Sequence, residues 1–346
     1  VFEVDFLPVG DGSRSGDAIA LRFTRPDTGA LAHVIIDGGY EDDGDALAEH
    51  FTNLYGTSYV DLVVLTHPDA DHRGGIPTLL SKLQVGVLAA HDPAVHGGAA
   101  LPVAEKVTEL RALAVREGTE LVEPFAGNNG FGGALLVAGP SEAFYEQKLA
   151  EQLAREGVVA AAPPSATREA LQAAIARLSA KALPHLPGEI PFSDSGGDKP
   201  LNDTSTVIDL QFGEQRFLFT GDAGVPALDA AASYLDAQGR TDRLATMVQV
   251  AHHGSRHNAS SDCLDRLLGP KTDERRGSAL ISISQAAAQD PRYPSPRVTN
   301  AYTRRGYPCF ANEGQTMCLS GEGAEGRGWT SMTPLPPKDE SIDDRP

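Results

Sequence analysis

The first forty residues alternate short apolar runs with turn-forming clusters. Val1 to Leu7, Asp17 to Phe23 and Leu31 to Ile36 read as strands separated by Gly, Asp, Pro and Thr, and predict an antiparallel meander. From about Asp45 to Leu54 the apolar spacing becomes helical. Val60 to Leu65 is then an uninterrupted apolar run, the pattern of a strand covered on both faces, and it ends at Thr66-His67. Further strands are predicted at Val85 to Ala89, Glu120 to Val122, Ala134 to Ala138, Thr204 to Phe212, Arg216 to Thr220, Met247 to Val250, Ala279 to Ile283 and Gln315 to Leu319. Helical patterns fall between several of them, near Pro102 to Glu117, Pro226 to Asp236, Ser260 to Leu267 and Arg297 to Arg304. This mixed order predicts sheets covered by helices, a layered α/β sandwich.

One stretch breaks the rhythm. Ser141 to Leu183 is rich in Ala, Glu, Gln, Leu and Arg, with a Pro163-Pro164 break, and predicts a helical hairpin inserted between strands. Pro184 to Pro200 is a loop rich in Pro, Gly, Asp and Ser. From Gly321 to Pro346 the chain is polar and proline-rich and predicts a disordered tail. The expected organisation is one domain over residues 1–320, carrying the 141–183 insertion and the 184–200 loop, followed by the 321–346 tail.

Charge and composition narrow the function. Of the 346 residues, 41% are hydrophobic and 22% charged, and no apolar run approaches the roughly 20 residues that span a bilayer. No membrane association is expected, and the lack of a leader-like start points to the cytoplasm. The net charge of -18 makes the average surface repel phosphate backbones, so any nucleic-acid contact must be local. Three scattered cysteines, Cys263, Cys309 and Cys318, make neither a disulfide framework nor a cysteine zinc site.

The chemistry concentrates at strand ends. Thr66-His67-Pro68-Asp69-Ala70-Asp71-His72-Arg73-Gly74-Gly75 places four ligand-type side chains in six residues directly after a buried strand. Two acids and two histidines packed together without a cation would repel and desolvate one another at a cost of several kcal/mol. A second apolar strand ends in Thr220-Gly221-Asp222, and a third in His252-His253-Gly254-Ser255. Three strands ending in His/Asp clusters describe one metal centre assembled from three loops.

The sequence His67-x-Asp69-x-Asp71-His72, with the later Asp222 and histidines, resembles the signature of the metallo-β-lactamase superfamily, His-x-(His or Asp)-x-Asp-His. More narrowly it resembles the hydrolase domain of bacterial competence DNA-uptake channels (ComEC-like), here free-standing. That resemblance extends over Phe6-Leu7-Pro8-Val9-Gly10, Gly16-Asp17-Ala18, Ile36-Asp37-Gly38-Gly39, Asn202-Asp203-Thr204-Ser205, Tyr293-Pro294-Ser295-Pro296 and Arg305-Gly306-Tyr307. It implies an αββα sandwich of two mixed sheets covered by helices, and two divalent cations. His67 and Asp69 would hold the first, Asp71 and His72 the second, and Asp222 would bridge them. His253 is favoured over His252 to complete the second position, which leaves His252 as a supporting group or proton donor. The separate third histidine of the first position has no clear counterpart. His91, His96 and His185 are stand-ins, but Asn202 to Ser205 is favoured there, as oxygen ligands or substrate contacts. Asp37 is expected as support behind the ligands. An oxygen-rich set favours Mn²⁺ or Mg²⁺, with Zn²⁺ also open.

The resemblance implies metal-assisted hydrolysis, in which the cations lower the pKa of a water and neutralise charge on the attacked group. Asp71, His252 and His257 are the candidate catalytic residues, with Asn202, Ser205, Ser255 and Arg256 as substrate contacts. The favoured reading is a phosphodiesterase or nuclease acting on single-stranded nucleic acid or nucleotides. Arg73, Arg256, Arg292, Arg297, Arg304 and Arg305 supply local positive charge, and Tyr293, Tyr302 and Tyr307 are candidates for stacking on bases. The alternatives are a lactone, ester, thioester or amide hydrolase with the same centre, or a regulatory subunit with a degenerate site and a partner docked on the helical insertion.

Overall fold

The computed structural model describes residues 1–10, 12, 14–158, 189, 192, 199–321, 323–324 and 326–344. β1 (Phe2–Phe6), β2 (Ala18–Thr24) and β3 (Leu31–Gly38) form the antiparallel meander that the alternation predicts. Beyond β3 the sheet runs parallel through β4 (Tyr59–Val64), β5 (Gln84–Ala89) and β6 (Glu120–Val122). Parallel strands need long crossovers, and helices provide them. They are α1 (Gly44–Tyr55), the short α2 (Ala70–Arg73) with α3 (Ile76–Lys82), and α4 (Pro102–Arg116).

The second sheet repeats this division. β7 (Asn129–Gly130), β8 (Leu135–Gly139), β9 (Val207–Phe212) and β10 (Gln215–Phe219) are antiparallel, and α5 (Glu142–Arg155) leaves the sheet after β8. β11 (Met247–Gln249), β12 (Ser278–Ile281) and β13 (Cys309–Ala311) continue parallel to β10, joined by α6 (Val225–Ala237), α7 (Ser261–Leu268) and α8 (Pro296–Thr303). β14 (Met317–Ser320) returns to the first sheet and pairs with β1, giving two seven-stranded mixed sheets.

The inner faces of the sheets pack on each other around Phe2, Phe23, Phe212 and Phe217, with Phe23 stacked on Phe212 at 5.0 Å between ring centres. The outer face of the first sheet is covered by Leu47, Phe51, Ile76, Leu79 and Leu110, and that of the second by Leu228, Leu235, Leu264, Leu267 and Val298. The result is the α/β/β/α sandwich expected from the sequence. The loops after β3, β4, β10 and β11, all carboxyl ends of strands, meet at one edge.

The two-residue β7, β13 and the tail differ from the sequence reading, and one expectation is tested only in part. β13 is too short and mixed for alternation to reveal it, and it separates Cys309 from Cys318, which lies in the other sheet; all three cysteines are free. The segment from Gly326 to Asp344, expected as a disordered tail, lies against the body. Arg327 pairs with Asp5 at 2.9 Å, Leu335 N–H donates to Cys309 O at 2.7 Å, and Asp343 accepts from Ser295 Oγ at 2.7 Å. Its polar side chains satisfy buried groups of the sandwich, which composition does not show. The first helix of the expected insertion is α5, capped by Ser141. Most of the remainder, including Pro163-Pro164, lies outside the described residues.

Candidate metal centre

Asp37 is the base on which the centre is built. It adopts φ 58°, a left-handed conformation uncommon for a residue with a side chain, and its carboxylate is fully buried. Oδ1 accepts from Thr66 N–H at 2.7 Å, while Oδ2 accepts from Thr66 Oγ1 at 2.6 Å and lies 2.7 Å from His72 Nδ1. With its proton committed to Asp37, Thr66 Oγ1 is left to accept from His67 Nδ1 at 3.2 Å. One carboxylate thus holds the proton of both imidazoles on Nδ1, one directly and one through a hydroxyl, and turns both Nε2 atoms toward the centre.

Asp222, delivered by the loop after β10, occupies the middle. Its Oδ1 lies 3.5 Å from His72 Nε2 and 3.9 Å from His253 Nε2. Its Oδ2 lies 3.6 Å from His252 Nε2 and 3.8 Å from His67 Nε2. Asp69 Oδ2 is 3.9 Å from His67 Nε2, and Asp71 Oδ2 is 3.9 Å from His72 Nε2 and 4.0 Å from His253 Nε2. Two groups of ligand-type atoms therefore share one carboxylate. The first comprises His67, His252, Asp69 and Asp222 Oδ2, and the second His72, His253, Asp71 and Asp222 Oδ1.

The Nε2 atoms of His67, His72 and His253, together with Asp222 Oδ1, are buried and have no hydrogen-bond partner. Orphaned polar atoms converging at these spacings are the arrangement that divalent cations satisfy, so the residues present fit such ions. The electrostatics agree. Burial alone would raise the Asp222 carboxyl, but the imidazoles of His252, His72 and His253 outweigh it and hold the group well below the carboxylate range. Burial alone would lower His72, and Asp222 and Asp37 reverse that to raise it well above the usual imidazole value. Burial and the neighbouring His72 lower His67.

The backbone of the third loop is also unusual. His252 and His253 adopt φ 48° and 55°, two successive left-handed residues, and this turn sends both rings to the same carboxylate. His252 Nδ1 lies 3.1 Å from Asn258 Oδ1 and His253 Nδ1 lies 3.0 Å from Ser282 O, so each ring has its own support. Gly254 continues at φ 80°, and a Cβ there would lie 2.5 Å from Pro294 Cβ.

His252 thus stands where the sequence reading had no third histidine for the first position. Of the stand-ins, His91 is buried against Tyr145 and pushed down to about 3 by burial, and His96 pairs with Glu123 at 3.1 Å. His185 lies outside the described residues. Asn202 to Ser205 sits behind the ligands, where Ser205 Oγ accepts from Asp222 N–H at 3.2 Å, Asn202 Nδ2 approaches His252 Nδ1 at 3.4 Å, and Asp203 pairs with Lys148 at 3.0 Å. Asn202 and Ser205, read as substrate contacts, are buried at 2% and 1% exposure and act on ligand loops. Ser255 and His257 are half-buried on the histidine loop, and His257 N–H donates to Ser255 Oγ at 3.3 Å. Among the described residues no ion pair joins His257 to the ligand atoms. Arg256 donates to the backbone oxygen of Asp343 in the tail.

Asp17, which the sequence offered only within Gly16-Asp17-Ala18, is a site residue. It is buried in the wall, and it forms with His72, Asp222 and His253 a set whose ligand atoms all lie within 4.8 Å of one another. The signal available was its position in Gly16-Asp17-Ala18. Gly16 is required there because a Cβ would collide with Asp71 O.

Residues 28–140 match the model of the metallo-beta-lactamase superfamily. Two mixed sheets flanked by helices are consistent with the metallo-beta-lactamase fold. The match contains Asp37, His67, Asp69, Asp71 and His72, whereas Asp222, His252 and His253 lie beyond it and reach the same centre through the fold. Members of the superfamily are mostly metal-dependent hydrolases that use divalent cations. Among solved structures, a metal-dependent hydrolase of the beta-lactamase superfamily, Tm1679, is 12% identical with a TM-score of 0.47, covering 93% of this chain and 99% of its own. YhfI from Bacillus subtilis, a metallo-beta-lactamase fold protein, is 9% identical with a TM-score of 0.45 over 92% and 99% of the two chains. A diphosphatase from the PhnP family is 11% identical with a TM-score of 0.38 over 92% and 98%. No curated protein matches the sequence. Among the described residues no helix is long and apolar enough to cross a membrane.

Proposed function

We propose that this protein is a two-cation phosphodiesterase acting on single-stranded nucleic acid or nucleotides, related to the ComEC-like hydrolases. The observation that carries the metal-dependent part is Asp222, with two imidazole Nε2 atoms facing each of its oxygens. Divalent cations held there supply charge neutralisation and an activated water. The chain's own part is to fix the imidazole tautomers through Asp37, to carry a carboxylate on each flank in Asp69 and Asp71, and to leave the centre open toward the half-exposed His252. The pairing of two positions across one carboxylate suits the attacking and leaving oxygens of a phosphodiester.

The surface supports a short substrate over a duplex. Arg292, Arg304 and Arg305 are each engaged with carboxylates of the chain, and Arg256 is held by the tail. Tyr302 and Tyr307 are buried in the core, which removes them as stacking groups; Tyr293 is 47% exposed. Lys199 reaches Asp69 at 3.4 Å and remains largely exposed at the mouth, placed to meet a phosphate.

The test is cleavage of end-labelled single-stranded DNA and of a dinucleotide by chelator-stripped protein, with Mn²⁺, Mg²⁺ or Zn²⁺ restored separately and Asp71→Ala as control. Metal-restored cleavage that the variant lacks is expected. Hydrolysis of a thioester or lactone, with phosphodiesters untouched at equal metal loading, would overturn the phosphodiester reading and leave the cation centre standing.

A further inference from the structure

Asp17 stands in the wall of the second position, and its surroundings are unusual. The residue is 1% exposed. Its Oδ2 accepts from Gln249 Nε2 at 2.9 Å and lies 3.9 Å from His72 Nδ1. Its Oδ1 is buried without a hydrogen bond of ordinary geometry, and the Ser282 hydroxyl neighbours the carboxylate. The orientation of Gln249 is unambiguous, because its Oε1 accepts from Thr220 N–H at 2.9 Å and Gly221 N–H at 3.1 Å, so its amide nitrogen must face Asp17. A structural bridge between the loops would use one carboxylate oxygen and could be made by an amide. A buried carboxylate with a second, unsatisfied oxygen is costly unless a cation lies within reach.

The two positions of the centre therefore differ. The first is bordered by His67, His252, Asp69 and Asp222, two nitrogens and two oxygens. The second is bordered by His72, His253, Asp71 and Asp222, with Asp17 added from behind. The ligand-type atoms of Asp17, His72, Asp222 and His253 all lie within 4.8 Å of one another, and two of the four residues are carboxylates. Oxygen ligands in greater number favour Mn²⁺ and Mg²⁺.

We propose that Asp17 is a metal-selecting carboxylate, which makes the second position of the centre prefer a six-coordinate, oxygen-seeking cation such as Mn²⁺ over zinc, relative to the first. This rests on the two-cation reading above. Asp17→Asn keeps an acceptor for Gln249 and removes the charge. Gln249→Ala breaks the bridge and keeps the charge.

The experiment is calorimetric titration of chelator-stripped full chain with Mn²⁺ alone and with Zn²⁺ alone, with thermal denaturation of the metal-free proteins as the check on folding. Wild-type protein should bind two Mn²⁺. In Asp17→Asn one of the two should weaken by about tenfold or more, the range seen when a group supporting a metal is lost, while Zn²⁺ affinity changes by less than about threefold. Gln249→Ala should hold both Mn²⁺ within about threefold of wild type, and where Asp17→Asn fails to fold, Asp17→Ser takes its place in the same Mn²⁺ and Zn²⁺ titrations. Equal weakening of Mn²⁺ and Zn²⁺ in Asp17→Asn, no weakening of either, or loss of Mn²⁺ in Gln249→Ala would each overturn the selecting role and leave Asp17 as a bridge between loops. Wild-type protein that binds neither cation would instead refute the metal centre itself.

Discussion

Asp37→Asn is the substitution that most directly probes how the centre is organised. The native carboxylate has only acceptors and meets three donors at 2.6–2.7 Å: Thr66 N–H, Thr66 Oγ1 and His72 Nδ1. Asparagine tolerates the left-handed backbone but offers one oxygen. With that oxygen toward His72, its NH₂ faces the Thr66 N–H and two donors collide. In the opposite orientation the NH₂ donates to His72 Nδ1, and the imidazole proton moves to Nε2, the atom that faces Asp222. Either arrangement weakens the second position, and the loss of a supporting group costs about 10–100-fold in metal affinity, or roughly 1.4–2.7 kcal/mol. Calorimetric titration with Mn²⁺ measures the affinity, and ¹⁵N imidazole shifts report the tautomer of His72. A folded Asp37→Asn protein that binds both cations with wild-type affinity, with the His72 proton still on Nδ1, would show that Asp37 does not set the tautomer.

Three further outcomes follow from the same geometry. His252→Ala and His253→Ala should each remove one cation of two, the first from the position of His67 and the second from that of His72; retention of two by His252→Ala would return that residue to a supporting role. Gly254→Ala, forced to φ 80° and against Pro294 Cβ at 2.5 Å, should lower stability by about 2–4 kcal/mol in thermal denaturation, and a variant as stable as wild type would show that the loop yields. Glu189 is lowered from 4.5 to about 2, because hydrogen bonds and charge from Arg305 and Lys271 outweigh burial. A depressed carboxyl stabilises above its unfolded pKa, so Glu189→Gln should cost about 2 kcal/mol near neutral pH after allowance for screening. That difference should shrink as pH falls from about 4.5 toward 2, and a difference independent of pH would sink the assignment.

Local pattern carries the layered architecture and the strand ends that the fold brings together. Apolar periodicity identifies β1 to β5 because their burial on one or both faces is written into local composition, and the strand ends at Thr66, Thr220 and Val250 carry their ligand-type residues in plain view. Three things depended on tertiary structure. The approach of His252 to Asp222 follows from two consecutive left-handed residues, a backbone choice that neither residue type announces. Asp17 and Asn202 to Ser205 are polar residues in turn-like sequence, and only the convergence of loops from both sheets shows which face the centre and which stand behind it. The tail reads as disordered by composition because its polar groups are matched by Asp5, Arg256, Ser295 and Asn300, partners elsewhere in the chain that no local window contains. Local pattern reports what a segment can bury, whereas the partner of a buried polar atom is fixed only when distant segments are brought together.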